Sequence, residues 1–111
     1  MDAAKLKFMF TQPDGRIGRQ TWWLGVLILI IAEIVLTALF GQRGLLPLLF
    51  GLAMLIAGVM LHVKRCHDRG KSGLWTILIF VPVIGWIWAI IDLGILEGDP
   101  GDNRYGPAPS S

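Results

Sequence analysis

The sequence places four side chains with metal-ligand chemistry close together, at His62, Cys66, His67 and Asp68. His62 and Cys66 are one helical turn apart and would share a helix face, whereas His67 and Asp68 would point elsewhere. Cys66 is the only cysteine, so the chain lacks a second thiolate ligand and cannot form an intrachain disulfide. We therefore predict no metal site and no cofactor, and we interpret His67 and Asp68 as a structural pair that organises a turn.

Glu33 is a carboxylate inside a long apolar stretch. A lone carboxylate at the centre of a membrane helix costs at least about 2.5 kcal/mol and is expected to face protein or water. We expect Glu33 to be buried between helices, with Thr37, one turn further along, as its nearest partner. Two interpretations follow: an interhelical or intersubunit hydrogen bond, and an ion or proton site.

Asp92 is the second carboxylate inside an apolar stretch, and we expect it near the outer end of its segment, within reach of Arg43. Acid–base chemistry would require Asp92 and Glu33 to meet, and the outer segments supply no nucleophile and base pair. The sequence therefore does not predict an enzyme.

Three apolar stretches must position these groups, at residues 22–40, 45–63 and 74–96. A helix of 19 residues is about 28 Å long, close to the roughly 30 Å of hydrocarbon that a transmembrane span crosses. With 54% hydrophobic and only 16% charged residues, a soluble domain of this size would expose too much apolar surface. We predict an all-α membrane protein with three transmembrane helices in residues 22–96. An interfacial or partly ordered lead-in of residues 1–21 would precede them, and an irregular polar tail rich in Gly and Pro, residues 97–111, would follow.

The basic residues all lie outside these stretches: four before the first, one between the first two, four after the second and one after the third. Short loops rich in Lys and Arg stay cytoplasmic. We therefore predict a multi-pass protein of the bacterial inner membrane, with the N-terminus and residues 64–73 inside and residues 41–44 and the C-terminus outside. Pro82 and Gly85 leave one alternative open, because they could turn the third stretch back as a re-entrant segment and return the tail to the cytoplasm.

The formal net charge of +2 does not predict nucleic-acid binding, because the basic residues flank the apolar stretches, where anionic lipid head groups lie. Small residues on the first two stretches should let their backbones approach closely; they are Gly25, Ala32, Gly51, Ala53, Ala57 and Gly58. The expected partners are therefore membrane lipids, a second copy of the chain or another membrane protein.

The loop before the third stretch should be held by a pair of Arg65 with Asp68, or of His67 with Asp68. Exposed pairs contribute only about 0–1 kcal/mol, so packing of Trp75 would have to help order the loop. Gly70 and Gly73 should let the chain reverse.

Four motifs occur in order along the chain. They are Gly15-Arg16-x-x-Arg19-x-x-Trp22-Trp23, Arg65-x-His67-Asp68-x-Gly70-x-Ser72-Gly73-x-Trp75, Pro82-x-x-Gly85 and Gly98-x-x-Gly101-x-Asn103-x-Tyr105-Gly106-Pro107. With these motifs the chain resembles the DUF805 family of small bacterial inner-membrane proteins over nearly its whole length. The resemblance implies location and architecture, but no catalytic residues, since no biochemical function is established for the family. The chain departs from the family pattern at Ala108, where an acidic residue between two prolines is common.

The candidate functional or structural positions are the carboxylate of the first stretch and residues of these motifs. They are Arg16, Arg19, Glu33, Arg65, His67, Asp68, Gly70, Ser72, Gly73, Trp75, Asn103 and Tyr105. Our leading hypothesis is a non-enzymatic structural or interaction component of the membrane. The alternatives are an oligomeric channel or transporter component that uses Glu33, and lipid or metal sensing by residues 65–75.

Overall fold

Two long antiparallel helices carry most of the apolar surface of the protein. In a computed structural model that describes residues 2–109, they are α2 (Arg19–Phe40) and α3 (Leu45–Asp68). They follow a short helix α1 (Ala3–Thr11) and precede a 3-10 helix (Gly73–Phe80), α4 (Ile84–Trp88) and a π-helix (Ala89–Ile95). The outermost residues of the predicted lead-in and tail, Met1, Ser110 and Ser111, lie outside the described residues.

Helices α2 and α3 form a hairpin because only four residues connect them. Gly41 ends α2 with φ of 75°, where its N–H donates to the carbonyl of Thr37, and Gly44 precedes α3 with φ of 101°. Both glycines adopt the left-handed region that disfavours other residues. The predicted stretches 22–40 and 45–63 lie inside these two helices, which both continue into the neighbouring basic segments.

Both long helices expose their apolar side chains instead of packing them into a core. In the most apolar 18-residue window of each helix, only 6% of the residues are buried within the chain. Each helix is also long enough to cross a bilayer, since 22 residues extend about 33 Å. The predicted all-helical membrane architecture is confirmed: the described residues contain no strand, only an isolated bridge between Asn103 and Gly106.

The prediction that residues 74–96 form a third transmembrane helix is wrong. The 3-10 helix ends at Phe80, the chain turns at Pro82 and Val83, and α4 with the π-helix runs back as a returning limb. Proline cannot donate to a continuing helix, and Val83 has φ of 67°, a left-handed conformation that reverses the chain. The carbonyl oxygen of Leu78 packs against the Cα of Gly85, so there is no room for a Cβ at this position. The segment therefore turns back on itself, as in the re-entrant alternative that Pro82 and Gly85 left open.

The C-terminal tail lies beside the end of α3, so its predicted position on the opposite side from residues 64–73 is also wrong. The N–H of Asp99 donates to the carbonyl of Asp68 at 2.6 Å, and Arg16 donates to the carbonyl of Gly101 at 2.7 Å. We call this end of the molecule, formed by residues 2–21, 64–73 and 92–109, the polar cap. It holds every Lys and Arg except Arg43, which lies at the hairpin turn.

The buried core is small and lies directly beneath the polar cap. Its fully buried members are Met9 of α1, Leu61 and Cys66 of α3, and Leu93 of the returning limb. Gly25 lets α2 approach α3, since a Cβ there would lie 2.5 Å from Cδ1 of Leu61. Helix α1, in which the Asp2 carboxylate caps the N–H of Lys5, is therefore packed against α3 rather than extended as a loose tail.

We expect Gly85→Ala to destabilise the returning limb, because the added Cβ would overlap the Leu78 carbonyl and no side-chain rotation can relieve a backbone clash. The cost should be about 1–3 kcal/mol or more, as for other overpacked sites. The matched control is Gly51→Ala in α3, where a Cβ meets nothing within 4 Å and helix propensity improves. Thermal unfolding in mild detergent should show a lowered Tm for the first variant only; equal Tm values would contradict the re-entrant path.

Candidate functional site

Asp68 is the central anion of the polar cap. Its Oδ1 accepts hydrogen bonds from Nε of Arg16 at 3.0 Å and pairs with Nη2 of the same guanidinium at 2.9 Å, while its Oδ2 accepts from Nη1 of Arg65. All three side chains are buried. The predicted pair of Arg65 with Asp68 is confirmed, but it is a buried triad across the chain rather than an exposed loop contact. The alternative pair of His67 with Asp68 is wrong.

Arg65 also closes the end of the returning limb. Its Nε donates to the carbonyl of Leu93 and its Nη2 to the carbonyl of Leu96, both at 2.7 Å. The last carbonyls of a helix have no partner within that helix, and a cation there is favoured by the helix dipole. Arg65 therefore joins the C-terminal end of the returning limb to the C-terminal end of α3.

Lys64 does the same for α1. Its buried ammonium donates to the carbonyls of Phe8, of Met9 at 2.8 Å and of Gln12 at 2.6 Å, and it lies 4.9 Å from the centre of the Phe8 ring. Three donors on Lys64 thus meet three carbonyls at the end of one helix. Lys64 and Arg65, which are consecutive residues of α3, therefore cap the C-terminal ends of two different helices.

Arg16 binds the tail. Its Nη1 donates to the carbonyls of Gly101 at 2.7 Å and Gly106 at 3.0 Å, and its Nη2 donates to the carbonyl of Asp99 at 2.7 Å. Together with the two contacts to Asp68, these use the donor capacity of the guanidinium. The tail motif therefore folds around one arginine of the N-terminal motif.

The tail motif is held by Asn103 and Tyr105 as well. The amide of Asn103 donates to the carbonyl of His67 at 2.9 Å and to Oδ2 of Asp99 at 3.0 Å, and its oxygen accepts from the N–H of Tyr105. The ring of Tyr105 stacks on His67 with centroids 3.9 Å apart, and Nδ1 of His67 lies 2.9 Å from the carbonyl oxygen of Gly15. Residues predicted from two separate motifs thus form one contact surface.

Asp92 lies in the polar cap and not near Arg43, so its predicted position is wrong; the reversal of the chain brings it back to the basic loop. Its Oδ1 accepts from Nε of Arg69 at 2.9 Å and its Oδ2 from Nζ of Lys71 at 2.5 Å. Burial raises the pKa of Asp92, but the hydrogen bonds from Lys71 and Arg69 outweigh it and leave that pKa below its ordinary value.

The structure does not gather His62, Cys66, His67 and Asp68 into one site. Nδ1 of His62 accepts from Nε1 of Trp22 at 2.9 Å, and Sγ of Cys66 is buried 3.7 Å from the hydroxyl of Thr76. Across residues 2–109, no group of three or more His, Cys, Asp and Glu side chains is arranged to hold a metal ion.

The remaining loop positions serve the turn between α3 and the 3-10 helix. Gly70 has φ of 75° and lies against the carboxylate of Asp99, and a Cβ on Gly73 would lie 2.8 Å from Cγ1 of Val63. Oγ of Ser72 caps the 3-10 helix by accepting from the N–H of Leu74. Trp75 is 47% exposed and contacts the loop through Lys71, whose ammonium lies 5.0 Å from the centre of its ring, while the buried charge pairs supply most of the loop's contacts.

Arg19 and Glu33 are two further candidate residues that the fold leaves exposed. Nη1 of Arg19 donates to the carbonyl of Ile95 at 2.8 Å, and its exposed guanidinium lies 3.8 Å from the carboxylate of Glu97. Glu33 is exposed in the single chain, so the prediction that it is buried between helices is wrong for contacts within this chain, and its intersubunit form stays a prediction. Its expected partner is right, since Oγ1 of Thr37 donates to its Oε1 at 3.5 Å.

Lys64 also organises the polar cap, although it was not among the candidate positions and was expected only as one of the basic residues after the second apolar stretch. A signal for its role exists in the sequence, because a basic pair at the end of an apolar helix faces segments whose Gly and Pro residues leave many carbonyls without helical partners.

Two membrane-length helices, a re-entrant hairpin and a cap of buried charges define a small all-helical membrane protein. The chain belongs to the family described as "Protein of unknown function (DUF805)", whose model matches residues 10–107.

Three relatives from Escherichia coli (strain K12) are similar over most of their length. Inner membrane protein YhaH is 33% identical over 103 residues and inner membrane protein YhaI is 35% identical over 100, each match covering 86% of this chain and 84% of the relative. The uncharacterized protein YiiR is 30% identical over 119 residues, with 83% of this chain and 82% of the relative covered. No solved structure matches the chain.

Replacing Asp68 with Asn should unfold the polar cap, because it leaves the buried cations of Arg16 and Arg65 without their counter-charge. Removal of one partner of a buried ion pair costs about 3–5 kcal/mol. The matched control is Asp102→Asn, an exposed tail carboxylate, which should change stability by no more than about 0.5 kcal/mol.

Thermal unfolding and limited proteolysis of the tail in detergent check this prediction. Asp68→Asn should show a lower Tm and faster cleavage between Glu97 and Pro107. Cleavage at the wild-type rate would mean that the buried triad does not hold the tail.

Proposed function

We propose that the protein is a non-enzymatic interaction component of the bacterial inner membrane that assembles laterally through the face of α2 bearing Glu33. The observation that carries this proposal is the exposure of a carboxylate within an apolar helix. Glu33 lies seven residues before Phe40, or roughly 10 Å from the nearer end of α2. At that depth an exposed carboxylate faces hydrocarbon unless another surface covers it.

Contacts within one chain satisfy the carboxylate only in part. In the described residues the hydrogen bond to the Glu33 carboxylate comes from Thr37, at 3.5 Å, and the neighbouring Ile30 and Ile34 are exposed apolar side chains. A protein surface that offers a further donor or acceptor at the same depth would satisfy the carboxyl group. Interhelical hydrogen bonds of this kind contribute about 1–2 kcal/mol in model peptides.

A second copy of the chain meets this requirement best. The placement of nine of the ten basic residues in the polar cap favours one orientation for every copy, with the polar cap and both chain ends in the cytoplasm. Identical residues then lie at identical depth. In a parallel dimer Glu33 would meet Thr37 of the partner subunit, whose hydroxyl can donate to a carboxyl oxygen.

A second candidate function is conduction by an oligomer. A notch of about 180 Å³ between α2 and α3 is lined by Glu33, Thr37 and Gln42, and it extends to the hairpin turn. Polar groups thus run from the membrane surface to the carboxylate, which is the pattern expected of an ion or proton path. One notch does not cross the membrane, so we rank this function second.

We do not propose metal sensing by residues 65–75. The side chains that would carry it, His67 and Asp68, are engaged with Tyr105, Gly15 and the two arginines. Lipid binding to this loop is supported only by the partly exposed Lys71 and the exposed Trp75, whose ammonium and ring lie 5.0 Å apart.

Association should depend on hydrogen bonding at position 33. We expect Glu33→Leu to weaken self-association about 5- to 30-fold, the equivalent of one interhelical hydrogen bond, while Glu33→Gln retains it. The control is Ile34→Ala, an exposed neighbour with no polar group. Energy transfer between labelled copies diluted into lipid vesicles measures the dissociation constant.

Two results would contradict assembly through Glu33: equal association of Glu33→Leu and wild type, or a wild type that stays monomeric at all dilutions. Ion flux into the same vesicles separates the two functions. Flux through the wild type that Glu33→Gln abolishes would favour the channel, and its absence would leave the interaction role.

A further inference from the structure

We propose that the groove between α2, α3 and the returning limb binds one anionic phospholipid of the inner leaflet. One acyl chain would lie in the groove, its ester carbonyl at His62 and its phosphate at Arg19. The groove ends at Ile30, about one helical turn before Glu33 on α2, and the inference does not depend on assembly.

The groove itself suits a hydrocarbon chain. It has a volume of about 360 Å³ and is lined on one side by Val26 and Ile30 of α2 and on the other by Ile79, Trp86 and Ile90. Ile30, Trp86 and Ile90 are all exposed at its opening. An apolar chain that filled the groove would complete the packing between α2 and the returning limb, which the protein alone leaves open.

One polar side chain interrupts this apolar lining. His62 lines the groove, and its Nδ1 accepts the hydrogen bond of Trp22 Nε1 at 2.9 Å. A neutral imidazole that accepts at Nδ1 carries its proton on Nε2, so His62 presents a donor. A bare alkyl chain cannot use that donor, whereas the ester carbonyl of a phospholipid can accept from it.

The depth of His62 fits an ester carbonyl. Lys64, whose ammonium is buried in the polar cap, follows His62 by two residues. His62 therefore lies about 3 Å further from the polar cap along α3. The head-group layer of a bilayer is about 5–7 Å thick on each side, so the imidazole lies just beneath it. Acyl ester groups occupy this boundary between head groups and hydrocarbon.

Arg19 supplies the matching cation. Arg19, Trp22, Val26 and Ile30 are spaced three or four residues apart and therefore form one stripe along α2. The Arg19 side chain is 45% exposed, and Glu97, its acidic neighbour, is 84% exposed at 3.8 Å, so the guanidinium is open to a further anion. The cation of Arg19, the donor of His62 and the groove therefore lie in the same order as the phosphate, the ester and the acyl chain of a phospholipid.

Two pairs of matched variants test the proposal. Ile30→Trp fills the mouth of the groove, and its control is Ile31→Trp on another face of α2; the two isoleucines are 51% and 52% exposed. Arg19→Gln removes the cation, and its control is Arg43→Gln at the hairpin turn. Each delipidated protein in detergent is offered phosphatidylglycerol, phosphatidylcholine with the same acyl chains, or glycerol phosphate, and native mass spectrometry measures lipid bound per chain.

We expect the wild type to retain one phosphatidylglycerol and to prefer it to phosphatidylcholine about fivefold, the effect of one basic residue at an anionic head group. Ile30→Trp should reduce retention at least about tenfold, since several buried methylene groups are lost, and Arg19→Gln should abolish the head-group preference. Both controls should match the wild type.

Equal retention by Ile30→Trp and Ile31→Trp would overturn the proposal, and so would equal binding of the two phospholipids by the wild type. Displacement of phosphatidylglycerol by glycerol phosphate alone would also overturn it, because it would show a phosphate site that does not use the groove. Since Arg19 is at the surface, its variant keeps the test decisive even if Ile30→Trp fails to fold.

Discussion

The fold depends on the need to satisfy helix-terminal carbonyls at the edge of the membrane. Lys64 and Arg65, adjacent at the end of α3, donate to the last carbonyls of α1 and of the returning limb, and Arg16 donates to the carbonyls of the tail. Asp68 balances two of these cations. A chain that exposes most of its apolar surface to lipid has a small core, so these polar contacts determine how its short segments are arranged.

The re-entrant hairpin follows from the same contacts. The returning limb does not need to cross the membrane, because Arg65 and Arg69 bind its end on the side where it began. The tail then lies against α3, and the polar cap gathers nearly all the charged residues at one end of the molecule. What remains exposed is an apolar hairpin with one carboxylate, Glu33, on its surface.

The two long helices and the membrane environment could be predicted because length and hydropathy are local properties of the sequence. The third apolar stretch could not be assigned in this way, since its composition suits a crossing helix and a re-entrant hairpin equally; Pro82 and Gly85 were the available signal. The contact of Arg16 with Asp68 joins residues 52 positions apart, which no local pattern encodes. Glu33 was expected to be buried between helices because the cost of exposure is general, but the single chain leaves it exposed, and a single sequence does not encode what would cover it.

Cysteine accessibility in whole cells and inverted vesicles tests the central claim, that contacts in the polar cap keep the tail on the same side as the N-terminal segment. In a background in which Cys66 is replaced by Ala, single cysteines would be introduced by Asp14→Cys, Asp102→Cys and Gln42→Cys, all at exposed or partly exposed positions. We expect an impermeant thiol reagent to label the first two variants only in inverted vesicles and the third only in whole cells. Labelling of Asp102→Cys together with Gln42→Cys would contradict the account.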